Sequence, residues 1–241
     1  SAASDVYKRQ GLCREDISNI DGKTRDETVT TLLLRSYARN ISTTAANTSI
    51  LRDIRANTDI GETTFYEYVA ALKKLFVIQD IEAWCPAIRS KSSIQSGNKR
   101  EFVDPSLVVS ALGVEPDYFN LDLKTFGFIF ETLCIRDLKI YSNALGGRVS
   151  YYRDRYGLEA DCVLRLRDGK YALIEFKLGS SEIDEGAKHL NEIEKLVEEY
   201  NKTEKQCLLR APDLKIVITG TQYGYKRPDG VYVVPIGCLR D

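Results

Sequence analysis

The stretch Glu159-Ala160-Asp161-Cys162-Val163-Leu164-Arg165-Leu166-Arg167-Asp168-Gly169-Lys170-Tyr171-Ala172-Leu173-Ile174-Glu175-Phe176-Lys177-Leu178 decides the reading of the fold. Two alternating apolar runs flank an Asp-Gly step, the strongest short-range signal for a β-hairpin. Alternation places Ala160, Cys162, Leu164 and Leu166 on one face of the first strand, and Glu159, Asp161, Val163 and Arg165 on the other. The second strand divides in the same way, with Ala172, Ile174, Phe176 and Leu178 opposite Tyr171, Leu173, Glu175 and Lys177. Asp161, Glu175 and Lys177 therefore share a face. Val163 and Leu173 on that face imply that something covers it, with the helix over 125–141 as the expected cover, and covered charges call for a partner or a use.

Outward from the hairpin, Arg148 to Arg153 reads as a preceding strand. After Gly179 the spacing of Ile183, Ala187, Leu190, Ile193 and Val197 predicts a helix over 181–201. Leu214 to Thr219 and Val231 to Ile236 read as further strands, so a strand–helix–strand crossover gives a partly parallel sheet. This is an α/β pattern: a mixed-sheet, restriction-endonuclease-like domain over 101–241.

Upstream, helices are expected over 27–39, from Asn47 or Thr48 to Arg55, and over 62–75, followed by a strand at Phe76–Ile81. Helices followed by a strand suggest a small winged-helix domain over 25–88. The exposed residues of its third helix, Glu62, Thr63, Glu67, Lys73 and Lys74, have mixed charge, which fits a docking face at least as well as a DNA groove. Residues 1–24 read as a tail or linker and 89–100 as a basic loop or linker. Glu101-Phe102-Val103 then reads as a short strand, Asp104-Pro105 as the start of a helix to Leu112, and 125–141 as a long apolar helix interrupted by Glu131.

Whole-chain properties narrow the function. The 241 residues, 43% hydrophobic, suffice for one large domain or two modest ones. Thirty-four Lys and Arg against 35 Asp and Glu leave a net charge of -1, so nucleic-acid binding has to rest on a local patch. The candidates are Arg153, Lys99 and Arg100 in the basic loop with Arg89 and Lys91, and Lys226 and Arg227 in an aromatic loop with Tyr223 and Tyr225. Six cysteines without a C-x-x-C pair, and a single histidine, His189, argue against zinc and against a catalytic triad. The reduced-looking cysteines, the lack of a secretory leader and the lack of a long apolar run give the expectation of a cytoplasmic protein without a membrane span. The chain has no methionine, and it reads as a fragment.

Paired carboxylates on neighbouring strands suit Mg²⁺ or Mn²⁺, and a lysine two residues from one ligand suits a phosphate or an attacking water. The residues Glu131, Tyr151-Tyr152-Arg153-Asp154, Gly157-Leu158-Glu159-Ala160-Asp161 and Ile174-Glu175-Phe176-Lys177-Leu178-Gly179 carry a resemblance that extends to Arg39–Thr43, Leu72–Ile78 and Phe102–Ser106. Together they resemble the C-terminal region of a prokaryotic family of AAA-type ATPases: a winged helix followed by a PD-(D/E)xK nuclease-like domain of unknown function. The resemblance implies a metal site of Glu131, Asp161 and Glu175 with Lys177 as the catalytic ammonium. It also implies an upstream ATPase domain through which ATP would act. Ala160 stands where the superfamily motif has Pro. Gly22-Lys23-Thr24 is not a P-loop, since Ile17 occupies the position of its first glycine and no strand leads into it. The functional expectation is a metal-dependent nuclease-like module engaging nucleic acid. The alternative is a non-catalytic module that binds DNA or a protein partner and works with the ATPase domain.

Overall fold

The computed structural model describes residues 11–86, 97–204 and 206–240. It divides into two compact units: Ser1–Asp80 with Gly97–Thr132, and Ile81–Ser96 with Leu133–Asp241. The sequence reading placed 101–132 with the sheet; the contacts place it with the helices.

The first unit is helical. Helices α1 (Glu27–Arg39), α2 (Asn47–Arg55) and α3 (Glu62–Lys74) fall where periodicity puts them. The Asp26 carboxylate caps α1 by accepting from the Val29 amide at 3.0 Å. The apolar stripes of the three helices meet in one core, with Leu33, Tyr37, Ile50, Ile54, Phe65 and Leu72 buried. Part of the expected tail belongs to it: Leu12 and Cys13 in a single π-helical stretch (Leu12–Asp16), and Ile17 in the turn after it, are buried in this core. Helix α4 (Pro105–Leu112) starts at Pro105 as expected, with Asp104 accepting from the Ser106 amide at 2.8 Å.

The strand expected at Phe76–Ile81 does not form. Helix α3 ends in a Schellman motif, the Phe76 amide donating to Lys73 O and the Val77 amide to Leu72 O. Phe76 takes the left-handed position of that motif (φ 55°), which turns the chain away from an extended path. What remains of the pairing is an isolated antiparallel bridge, Ile78 to Phe102. The expected short strand at 101–103 is reduced to the other side of that bridge.

The division between the units falls inside helix α5 (Leu123–Ser142). The second unit is built on β1 (Arg148–Arg153), β2 (Glu159–Arg165), β3 (Tyr171–Lys177), helix α6 (Ile183–Thr203), β4 (Leu214–Thr219), β5 (Tyr225–Lys226) and β6 (Tyr232–Pro235). The six strands form one mixed sheet in the order β1-β2-β3-β4-β6-β5. β2 and β3 are antiparallel across the expected turn, where Gly169 adopts φ 85°. β3 and β4 are parallel across α6, as the crossover requires. β5, an edge strand of two residues, lies within the segment 223–229 that the sequence reading left as a loop. Helix α6 packs Ile183, Ala187, Leu190 and Ile193 onto Val163, Leu173, Val217 and Val233, so this helix covers the apolar residues of the Asp161 face, in place of the 125–141 helix expected there. No helix among the described residues is long and apolar enough to cross a membrane.

Candidate functional site

The β2–β3 ladder runs from Arg165/Tyr171 to Cys162/Ile174 and stops one step short of Asp161 and Glu175. The cause lies on the other side of β2. Between Ser150/Val163 and Tyr152/Ala160 the β1–β2 register slips, β2 carrying one residue more than β1, so that Asp161 and Cys162 together face Tyr151. This bulge also breaks the simple alternation: Ala160 joins the same core as Val163. At the break, the Asp161 carboxylate itself accepts the Phe176 amide at 2.9 Å. Asp161 thus anchors the end of β3 and is held beside Glu175.

Glu175 is 2% exposed. Lys177 Nζ lies 3.1 Å from its Oε2, and His189 Nδ1 lies 3.7 Å from its Oε1, an ion-pair distance rather than a hydrogen bond. Gly186, on the first turns of α6, makes room for this cluster: a Cβ there would stand 3.1 Å from Lys177 Cε and 3.3 Å from Glu175 Cβ. Burial, and then repulsion from Asp161, push the Glu175 carboxyl above the ordinary range, and its contacts with His189 and Lys177 offset only part of this. Burial pulls the Lys177 ammonium down, but the Glu175 and Asp161 carboxylates outweigh it and leave its pKa raised. Glu175 raises the His189 pKa above its ordinary value.

Asp161, Glu175 and Lys177 are therefore brought together, in the unit and on the strands that the alternation indicated. His189, whose isolation in the sequence argues against zinc and a catalytic triad, joins them. Its signal was helical spacing, since Gly186 and His189 stand three apart on the helix whose apolar stripe faces β3. Glu131 is placed in the helical unit, where Lys99 Nζ donates to its Oε1 at 2.8 Å.

The nucleic-acid candidates scatter. Lys99 is 1% exposed and Arg100 7%, the latter held by Asp80 at 3.0 Å and by the carbonyl oxygen of Ala45 at 2.8 Å. Neither presents its charge to a phosphate backbone, which corrects the expectation of a solvated basic loop. Glu101, fully buried beside them, accepts from Ser42 and Thr132 hydroxyls at 2.9 Å each. Three consecutive charges ordinarily read as surface, so no local signal marks this stretch as interior. Arg227 is neutralised by Asp184 at 2.5 Å and Asp229 at 3.2 Å, Lys226 lies over the Tyr232 ring, and exposed Arg153 stands 3.8 Å from Glu159. Arg89 and Lys91 fall outside the described residues.

Two adjacent carboxylates fit a hard divalent cation such as Mg²⁺, which takes one or two protein carboxylates and fills its remaining positions with water or phosphate. Among the described residues no group of three or more His, Cys, Asp or Glu side chains is arranged to hold a metal. No curated protein and no solved structure matches the chain. Residues 8–118 match the model of one domain of unknown function, DUF8612, and residues 126–239 match that of another, DUF4143, a domain found at the C-terminus of AAA-ATPase-type proteins.

Proposed function

We propose that the sheet unit is a nuclease-like module that engages nucleic acid, with Asp161 and Glu175 as the residues that would hold a Mg²⁺ or Mn²⁺ ion. The observation that carries this reading is Glu175: a carboxylate 2% exposed, pushed up by burial and by Asp161, is an expensive arrangement that a divalent cation between the two acids would relieve. Such an ion would supply charge neutralisation at a phosphate and a more acidic bound water. Lys177, 17% exposed along its side chain, is the residue to contact a phosphate oxygen or orient the attacking water. His189, a third exposed, stands at ion-pair distance from Glu175 Oε1 and offsets its charge when protonated.

A second reading has its own observation. Glu175 already has a cationic neighbour within the unit, Lys177, and a second, His189, that is cationic when protonated, which suits a non-catalytic module that binds DNA or a protein and works with an upstream ATPase domain. Isothermal titration with Mn²⁺ separates the two. The nuclease-like reading expects saturable binding in the millimolar range or tighter, lost in Asp161→Asn, together with cleavage lost in Lys177→Met. No saturable binding sinks it and leaves the interaction module.

A further inference from the structure

At the end of the sheet away from Glu175, four residues or about 13 Å along β3, lies a cavity of about 1130 Å³. This is slightly above the range for small-molecule sites, about 300–1,000 Å³. Arg148, Arg165, Arg167 and Arg210 line it together with Trp84 and Tyr171, and no carboxylate among the described residues does. Arg210 is balanced by Asp213, but Arg148, Arg165 and Arg167 make no ion pair with a described residue.

The backbone register makes this concentration unusual. Arg148 and Arg165 are direct partners across β1 and β2, an arrangement of like charges that destabilises a sheet. Arg165 is half-buried, its guanidinium 5.9 Å from the centre of the Trp84 ring, and its Nε is shielded from solvent without an acceptor. Arg167 passes over Gly146, where a Cβ would meet its Nε at 2.7 Å, so glycine there leaves the guanidinium its place. Trp84 and Tyr171 pack at 4.8 Å with a 52° tilt, and the Tyr171 hydroxyl is fixed by donation to Arg210 O at 2.8 Å.

We propose that this cavity binds a phosphorylated nucleotide, either free or as the phosphate-bearing end of a single strand. The three guanidiniums that lack an ion pair, of which Arg165 also donates to Ser150 Oγ at 3.2 Å, take the phosphate oxygens through forked, charge-assisted hydrogen bonds, and an anion between Arg148 and Arg165 removes their repulsion. Trp84, half-buried and packed against the buried Tyr171, takes the base, since every base offers a π-face to stack. The inference stands on the sheet register and the composition of the cavity, independently of any metal at Asp161 and Glu175.

Trp84 is the only tryptophan, so its fluorescence reports this cavity directly. The titrants are ATP, a 5′-phosphorylated thymidine hexanucleotide and tripolyphosphate, each added to the 241-residue chain in EDTA at low salt. We expect a saturable change with ATP, the hexanucleotide or both, at least about tenfold tighter than with tripolyphosphate. ATP ahead of the hexanucleotide identifies a free nucleotide, and the reverse identifies a strand end. Exposed Arg148 and Arg167 can be replaced without emptying a core, and R148Q/R167Q should weaken binding at least about tenfold while leaving circular dichroism unchanged. Binding in E175Q should equal that of the unsubstituted chain. The proposal is overturned by no saturable change with either nucleotide, by tripolyphosphate binding equally well, by R148Q/R167Q binding normally, or by loss of binding in E175Q.

Discussion

Replacing Glu131 with Gln tests whether this residue serves the interior of the helical unit or chemistry. Lys99 Nζ and Glu131 Oε1 are 2.8 Å apart, with side chains 2% and 10% exposed. Removing one charge of a buried pair leaves the other in a medium that cannot solvate it, a loss of about 3–5 kcal/mol. With a denaturant dependence of about 1.5–2 kcal/mol per molar urea for a unit of this size, the midpoint should fall by about 2 M. Lys99→Met should cost a similar amount for the mirror-image reason. The double variant Lys99→Met/Glu131→Leu removes both charges and keeps apolar volume, so it should recover to within about 1 kcal/mol of the original. Urea unfolding followed by circular dichroism at the helical band is the assay. A shift under about 0.5 M for E131Q, or a double variant as unstable as the sum of the singles, would refute the buried-pair reasoning and return Glu131 to the list of residues free for catalysis.

The single histidine gives a direct titration probe. Because Glu175 raises the His189 pKa above 6.5, E175Q should lower it in an NMR titration of the ring; an unchanged value would mean that the 3.7 Å contact carries no charge interaction. A raised histidine pKa favours the folded state below about pH 6.5 and loses that contribution as pH rises through the folded value. The raised Glu175 pKa has the same sign, its protonated form being favoured in the fold above pH 4.5, so stability without metal should decline from mildly acidic to alkaline pH and E175Q should flatten that decline. Phe76→Gly, at a left-handed position where the ring is 76% exposed, should stabilise the chain by about 1 kcal/mol in thermal melts, and a loss would show that the ring is needed elsewhere. Gly186→Ala gains up to about 1 kcal/mol of helix propensity but meets Glu175 Cβ at 3.3 Å. We expect a net loss of about 1 kcal/mol together with a displaced Lys177 visible as a changed His189 titration; a stabilised variant with an unchanged titration would remove the claim that Gly186 shapes the site.

Local pattern sufficed wherever one short-range force dominates. Alternation and an Asp-Gly step specify the β2–β3 hairpin, and the heptad-like stripe of Ile183, Leu190, Ile193 and Val197 specifies α6, although which sheet face it covers came only with the packing. The neighbourhood of Asp161, Glu175 and Lys177 follows from those two patterns, which is why it was legible before any coordinates. Pattern failed where a long-range partner decides. Leu12, Cys13 and Ile17 look like a tail until the core they enter is assembled, and Lys99-Arg100-Glu101 looks like a solvated loop until Glu131, Asp80, Ser42 and Thr132 surround it. Phe76–Ile81 has the composition of a strand, but a strand exists only with a paired neighbour, and the left-handed turn at Phe76 leaves a single bridge. The bulge that stops the ladder at Asp161 and the arginine cavity at the opposite end are register effects, set by which residues of separate strands come to lie side by side. The periodic elements and the apolar side of each were thus readable from local pattern, because these follow from interactions within a few residues. The tertiary structure alone decided which charges are interior, where the ladders end and which arginines share a cavity, because those depend on contacts between segments tens of residues apart.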